Sequence, residues 1–236
     1  MNQEQVEFLF QEVPKKYYQM PSAELHAHCM DAKAKLGEDL VILAHHYQQN
    51  DTFRLADVSG DSLKLAQTAA NSKAKYIVFC GVHFMVESAD ILAREGQVAL
   101  LPNLTAGCSM ADMADEDSVE DAWDHIMEVT GNESLIPITY INSTAALKAF
   151  VGSKGGVVCT SSNSNKILEW AFSQGKRVFF LPDQHLGRNT AKAMGIPSNQ
   201  MALWDRLKDD GGLTNKEIVD SKILLWDGYC SVHQRF

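Results

Sequence analysis

The feature that most constrains this chain is a regular alternation, from residue 40 onward, of apolar strand-length runs with helical patterns. Strand-length runs fall at Leu40–Ala44, Tyr76–Cys80, Val98–Leu101, Ile136–Tyr140, Gly156–Cys159, Arg177–Leu181 and Lys222–Trp226. Helical patterns lie between them near Ser62–Ala70, Phe84–Arg94, Ser118–Val129, Ser143–Phe150, Asn163–Phe172 and Gly187–Met194. Strand alternating with helix reads as βαβ units around parallel sheets. Near-continuous apolar strands agree with sheets covered on both faces. The expected fold class is therefore α/β, built from repeated αβα three-layer, Rossmann-like units with parallel sheets. A length of 236 residues suits one large domain or two small α/β units.

The strand pattern divides near Gly107-Cys108, so residues 38–108 are expected to form a first αβα domain and residues 109–230 a second. Residues 1–37 read as a helical extension. Ser22 is expected to cap a segment in which Leu25, Cys29, Ala32 and Leu36 share one face, with Gly37 as its stop. Residues 196–221 carry a weaker pattern and read as loop plus a short helix near Asn215.

Charge and composition exclude several classes. The formal net charge is -9, and no run of Lys or Arg exceeds two, which argues against nucleic acid or an anionic membrane as partner. No run of about 18 uncharged apolar residues is present. Met1 to Phe10 lack a basic segment followed by an apolar one, so a cytoplasmic location is expected. In that compartment the five cysteines are thiols or metal ligands rather than disulfides. The lack of a CxxC pair argues against a zinc ribbon.

Apolar strands run into polar clusters that open helices: Ala44-His45-His46-Tyr47 with Ser59-Gly60-Asp61-Ser62 shortly after, Tyr140-Ile141-Asn142-Ser143-Thr144, and Cys159-Thr160-Ser161-Ser162-Asn163. Ligands bind at such strand ends in open α/β sheets. Each feature also has a plainer reading. His45 and Tyr47 are expected to share a strand face that His46 does not join, as buried structural residues or as catalytic ones. Gly60-Asp61-Ser62-Leu63 allows a serine nucleophile, but the Asp-x-x-His of such hydrolases is absent, and Asp227 with His233 has the wrong spacing. Otherwise Ser62 is a helix cap, or part of an anion site at a helix N-terminus. Three such clusters together suggest a polar pocket for a small anionic molecule. Cys108 and Cys230 each follow a strand on a small-residue loop, as plain thiols or as metal ligands. Cys29, Cys80 and Cys159 sit in apolar patterns and read as small core residues.

In order along the chain, Leu43-Ala44-His45-His46-Tyr47, Gly60-Asp61-Ser62-Leu63, Phe79-Cys80-Gly81-Val82-His83-Phe84-Met85-Val86-Glu87, Gly107-Cys108-Ser109-Met110-Ala111, Tyr140-Ile141-Asn142-Ser143-Thr144, Thr160-Ser161-Ser162, Leu181-Pro182-Asp183-Gln184-His185-Leu186-Gly187-Arg188-Asn189 and Gly228-Tyr229-Cys230-Ser231-Val232-His233-Gln234 resemble the quinolinate synthase family. The resemblance implies a transferase-type enzyme of NAD biosynthesis. It condenses iminoaspartate with dihydroxyacetone phosphate to quinolinate, with loss of phosphate and water, and has a functional link to an aspartate oxidase. It implies a [4Fe-4S] cluster held by three cysteines, of which Cys108 and Cys230 would be two. The third ligand is absent from this chain. It implies substrate binding by His45, Ser62, Tyr140, Asn142 and Ser161, and catalytic roles for Tyr47, His45 and His233. The family has three pseudo-threefold αβα domains, so this chain is expected to hold two, with residues 231–236 starting a missing third. A truncated form is the expected reading. The alternative is a non-catalytic α/β module that binds a small dicarboxylate or phosphate.

Overall fold

The computed structural model describes residues 13–131, 134–175, 177–230 and 233. The part of the expected N-terminal helix in residues 1–12 lies outside the described residues, as does the expected start of a third domain, apart from His233. The chain divides into two compact units, Met1–Ala106 and Gly107–Phe236.

In the first unit, helices α1 (Lys15–Tyr18) and α2 (Ser22–Leu36) precede β1 (Leu40–His45), α3 (Asn50–Phe53), β2 (Val58–Gly60), α4 (Ser62–Asn71), β3 (Tyr76–Cys80), α5 (His83–Leu92) and β4 (Val98–Leu100). The four strands make one all-parallel sheet in the order β2-β1-β3-β4. One face is packed by Ile42, Ala44 and Cys80 with Leu55 and Ala56. Leu43, Ile77 and Phe79 are fully buried, as are Leu65, Ala66 and Ala69 of α4. Pleating turns alternate side chains to opposite faces, so a strand that is apolar throughout needs cover on both.

Three expectations need correction here. The N-terminal region is two helices broken at Gln19–Pro21, because Pro21 lacks the N–H that a continuing helix requires. Ser22 is the first residue of α2 rather than its cap, which is Pro21. Cys29 is exposed on α2, a helix with no buried residue, and not in a core. Gly37 does end α2, with a φ of 53° that only glycine adopts without cost.

The second unit runs α6 (Glu116–Val129), β5 (Leu135–Tyr140), α7 (Ala145–Ser153), β6 (Val157–Cys159), α8 (Ser164–Gln174), β7 (Arg177–Leu181), α9 (Gln184–Ala193), β8 (Met201–Trp204), α10 (Asn215–Asp220) and β9 (Ile223–Trp226). Its sheet is all parallel in the order β6-β5-β7-β9-β8. Central strands β7 and β9 are buried along their whole length. Phe179, Leu181, Leu224 and Trp226 pack with α6, α7 and α10 on one face. Phe180 and Leu225, neighbours across the β7–β9 ladder, meet Gly187 of α9 on the other. These helix–sheet–helix layers are the αβα arrangement expected from the alternation. Two strands escaped the pattern. Residues 196–221 are not only loop and helix, because Met201–Trp204 forms an edge strand. Val58-Ser59-Gly60 is a second edge strand, too short and polar to read as one.

Candidate functional site

Strand order reverses between β1 and β3 in the first sheet and between β5 and β7 in the second. The crevice beyond the strand C-termini at such a reversal is where open α/β sheets bind ligands.

In the second unit that end carries Tyr140, Asn142 and Asp183. The Tyr140 hydroxyl hydrogen-bonds the Ser161 hydroxyl at 3.2 Å, joining the β5 end to the loop before α8. The Tyr140 ring meets the His233 imidazole edge-on, with centroids 5.6 Å apart. Burial pushes the Tyr140 hydroxyl above its ordinary range, with Cys230, Asp183 and Cys159 raising it further and the Ser161 bond pulling it back. Tyr140 is therefore a neutral donor at neutral pH. His233 Nδ1 lies 2.5 Å from Asp183 Oδ2. Asp183 is fully buried, and its Oδ1 accepts the backbone N–H groups of His185 and Leu186 at the start of α9. Asp183 was not singled out from the sequence. In the sequence it stands within the Leu181–Asn189 motif, at the end of an apolar strand and ahead of a helical pattern, which is equally the mark of an N-cap.

In the first unit the His45 and Tyr47 rings are 4.0 Å apart, while His46 lies edge-on to His45 at 5.8 Å. The expected pairing of His45 with Tyr47 arises in the turn after His45 rather than from strand alternation, because β1 ends at His45. Tyr47 is 56% exposed, which rules out the buried structural reading. Its hydroxyl points at Met85 Sδ, 3.7 Å away. Burial, reinforced by His46, lowers the His45 pKa against a smaller opposing pull from Asp61, so His45 is neutral at neutral pH.

The polar clusters separate into caps and spare groups. Asp61, not Ser62, caps α4 by accepting the Lys64 N–H at 2.8 Å. Thr144 caps α7. Asn163 Oδ1 accepts the Thr160 N–H. Ser62 is buried at the N-terminus of α4 and its hydroxyl makes no hydrogen bond to a described residue, so no histidine activates it as a nucleophile among those residues.

The cysteines also differ. Cys80 and Cys159 are buried, and burial pushes the Cys159 thiol up to about 12 and the Cys80 thiol upward. Neither suits a thiolate ligand. Cys108 and Cys230 are half-buried free thiols. The loops that carry them are tied together: the Trp226 indole N–H, at the strand end leading to Cys230, donates to the Met113 carbonyl at 2.7 Å, and Met113 lies in the turn after Cys108. Two accessible thiols on converging loops fit donors to an iron–sulphur cluster. Among the described residues no group of three His, Cys, Asp or Glu side chains could hold a metal ion. No helix among the described residues is long and apolar enough to cross a membrane.

Two all-parallel αβα units with polar groups at their strand C-termini define an open-sheet α/β protein. The chain belongs to the Quinolinate synthetase A protein family, whose match covers residues 28–236. It is 56% identical over 227 residues to the quinolinate synthase of Corynebacterium glutamicum, covering 96% of this chain and 58% of that protein. The quinolinate synthases of Acidobacterium capsulatum and Listeria innocua are 51% and 53% identical, covering 93% and 95% of this chain and 59% and 61% of their own lengths. The chain thus spans about three-fifths of the curated relatives it matches.

Proposed function

We propose that this chain supplies two αβα domains of a cytoplasmic quinolinate synthase, a transferase of NAD biosynthesis. The reaction condenses iminoaspartate with dihydroxyacetone phosphate, and an aspartate oxidase provides the imine. Nucleic acid and membrane have no part in it. The observation that carries the reading is the grouping of Tyr140, Ser161 and His233 at the strand reversal of the second sheet, in a chain of this family.

The residue chemistry agrees with the substrates. Tyr140, held protonated, donates to a carboxylate of iminoaspartate, beside Asn142 and the Ser161 hydroxyl. The Ser62 hydroxyl lies at the N-terminus of α4, where the helix dipole favours phosphate or carboxylate. Neutral His45 contacts substrate, and Tyr47 and His233 move the protons that each dehydration requires. Cys108 and Cys230 would hold two positions of a [4Fe-4S] cluster. When bound, the cluster supplies an iron with an open position that acts as a Lewis acid.

Calorimetric titration with malate, a stable four-carbon dicarboxylate, tests the reading on this chain alone. Saturable binding that weakens at least tenfold on Tyr140→Phe is expected. No binding to the folded chain, or binding indifferent to Tyr140, would refute it.

A further inference from the structure

We infer that Asp183 is a positioning residue that keeps the proton of His233 on Nδ1 and so presents Nε2 as a bare acceptor beside Tyr140. The role of His233 in the chemistry rests on the function proposed above; the pairing itself does not.

Both oxygens of Asp183 are committed. Oδ1 takes the N–H groups of His185 at 2.8 Å and Leu186 at 3.1 Å, and Oδ2 faces His233 Nδ1 at 2.5 Å. A carboxylate only accepts, so the imidazole must donate from Nδ1. His233 Nε2 makes no hydrogen bond to a described residue. In its neutral form that nitrogen carries the ring's lone pair, and the ring stands edge-on to Tyr140. A carboxylate that fixes the tautomer and orientation of a histidine is how proton acceptors are aimed.

The segment leading to His233 is fastened to the same spot. Gln184 donates its backbone N–H to the Gly228 carbonyl at 2.9 Å and its side-chain amide to Asp227 at 2.5 Å. Gly228 sits so close to Pro182 that a Cβ there would lie 2.3 Å from the Pro182 carbonyl oxygen. Asp183 is thus held at the α9 cap on one side and against the segment that returns as His233 on the other. It is fully buried while His233 keeps 20% of its side chain exposed, so the acid is sequestered and the imidazole remains accessible.

The test is the position of the ring proton, read by two-bond proton–nitrogen correlation on the ¹⁵N-labelled chain, with His233→Ala to assign the signal. A protonated Nδ1 and, in the neutral ring, a bare Nε2 are expected. In Asp183→Asn the amide oxygen stays with the two α9 N–H groups and the amide NH₂ faces the ring. The proton should then move, and the two nitrogen shifts should exchange. A bare Nδ1 in the unaltered chain overturns the inference, as does an unmoved proton in folded Asp183→Asn. Should that variant fail to fold, the unaltered chain alone decides. The signal is read without ligand. A chain that shows it yet binds no malate would remove the proposed function and leave the pairing intact, and the converse result would remove only the pairing.

Discussion

Glycine-to-alanine substitution in a helix normally stabilises it by about 1 kcal/mol, because alanine loses less backbone freedom on folding. Two helical glycines of the second unit should respond with opposite signs. Gly152 lies in the last turn of α7, and a Cβ added there meets nothing within 4 Å. Gly152→Ala should therefore raise stability by up to ~1 kcal/mol, less any loss from its place near the helix end. Gly187 lies inside α9 where the helix crosses β7 and β9. A Cβ there would stand 2.6 Å from Leu225 and 2.7 Å from Phe180. Ordinary contact begins at 3.4 Å, so the neighbours must retreat by about 0.8 Å in a close-packed interior. Phe180 and Leu225 have nowhere to go, because both are fully buried and register against each other in the middle of the sheet. Overpacking of this kind costs ~1–3 kcal/mol, and rigid neighbours put it at the upper end. After the propensity gain is subtracted, Gly187→Ala should be ~1–2 kcal/mol less stable than the unaltered chain.

Urea unfolding followed by circular dichroism measures both variants. With a slope of about 2 kcal/mol per molar urea, the Gly187→Ala midpoint should fall by roughly 0.5–1 M while the Gly152→Ala midpoint holds or rises. A rise for Gly187→Ala comparable to that of Gly152→Ala would refute the close approach of α9 to the sheet.

Two further predictions concern cap and thiol. Asp61→Ala should cost about 1 kcal/mol in urea unfolding through loss of the α4 cap, whereas Ser62→Ala should stay within about 0.5 kcal/mol yet weaken phosphate binding several-fold in calorimetry. Equal stability losses, or intact phosphate binding in Ser62→Ala, would contradict the separation of cap from ligand. Alkylation of the folded chain at mildly alkaline pH, read by mass spectrometry, should label exposed Cys29 and leave Cys159 untouched until the chain is denatured. Cys159 is pushed up to about 12, whereas an unfolded cysteine ionises near 8.5. The folded state therefore holds the proton that the unfolded state releases. This contribution is complete below that ordinary range and is lost as pH rises toward 12.

How much of this was legible in the sequence depends on where each residue stands relative to the sheet. The central strands Arg177–Leu181 and Ile223–Trp226 are apolar because both faces are covered, and such runs can be read directly. Val58–Gly60 is a three-residue edge strand with one large apolar side chain, and Met201–Trp204 is a four-residue edge strand in a mostly polar stretch, so the pattern passed over both. The exposure of Cys29 was hidden for the converse reason. An apolar stripe at helical spacing says that a face could be covered, not that this unit covers it, and α2 touches its neighbours through Ser22 to Asp51 and Lys33 to Asp57 instead. Asp183 could not be read at all as a partner of His233, because the contact joins residues 50 apart in the chain.

The same limit explains why the strand-end clusters stayed ambiguous and how the fold resolves them. Ser, Thr, Asn and Asp at a helix start can each satisfy the orphan N–H groups, so composition alone cannot divide structural oxygens from ligand-binding ones. Hydrogen bonding makes the division. At α4 the cap is Asp61, which leaves Ser62 without a partner among the described residues. At α7 the cap is Thr144, and Ser143 donates back to the Tyr140 carbonyl, which leaves Asn142 as the group with no side-chain bond among the described residues. Before α8, Asn163 holds the Thr160 N–H, while among the described residues the Ser161 hydroxyl bonds only the Tyr140 hydroxyl. One polar side chain in each cluster is surplus to the helix it precedes. Ser62 is buried and Asn142 half-buried, and such a polar group without a structural partner costs stability unless water or a ligand completes it. Each is a hydrogen-bonding group left over at its own strand end, and they are the serines and asparagine that the family resemblance nominates.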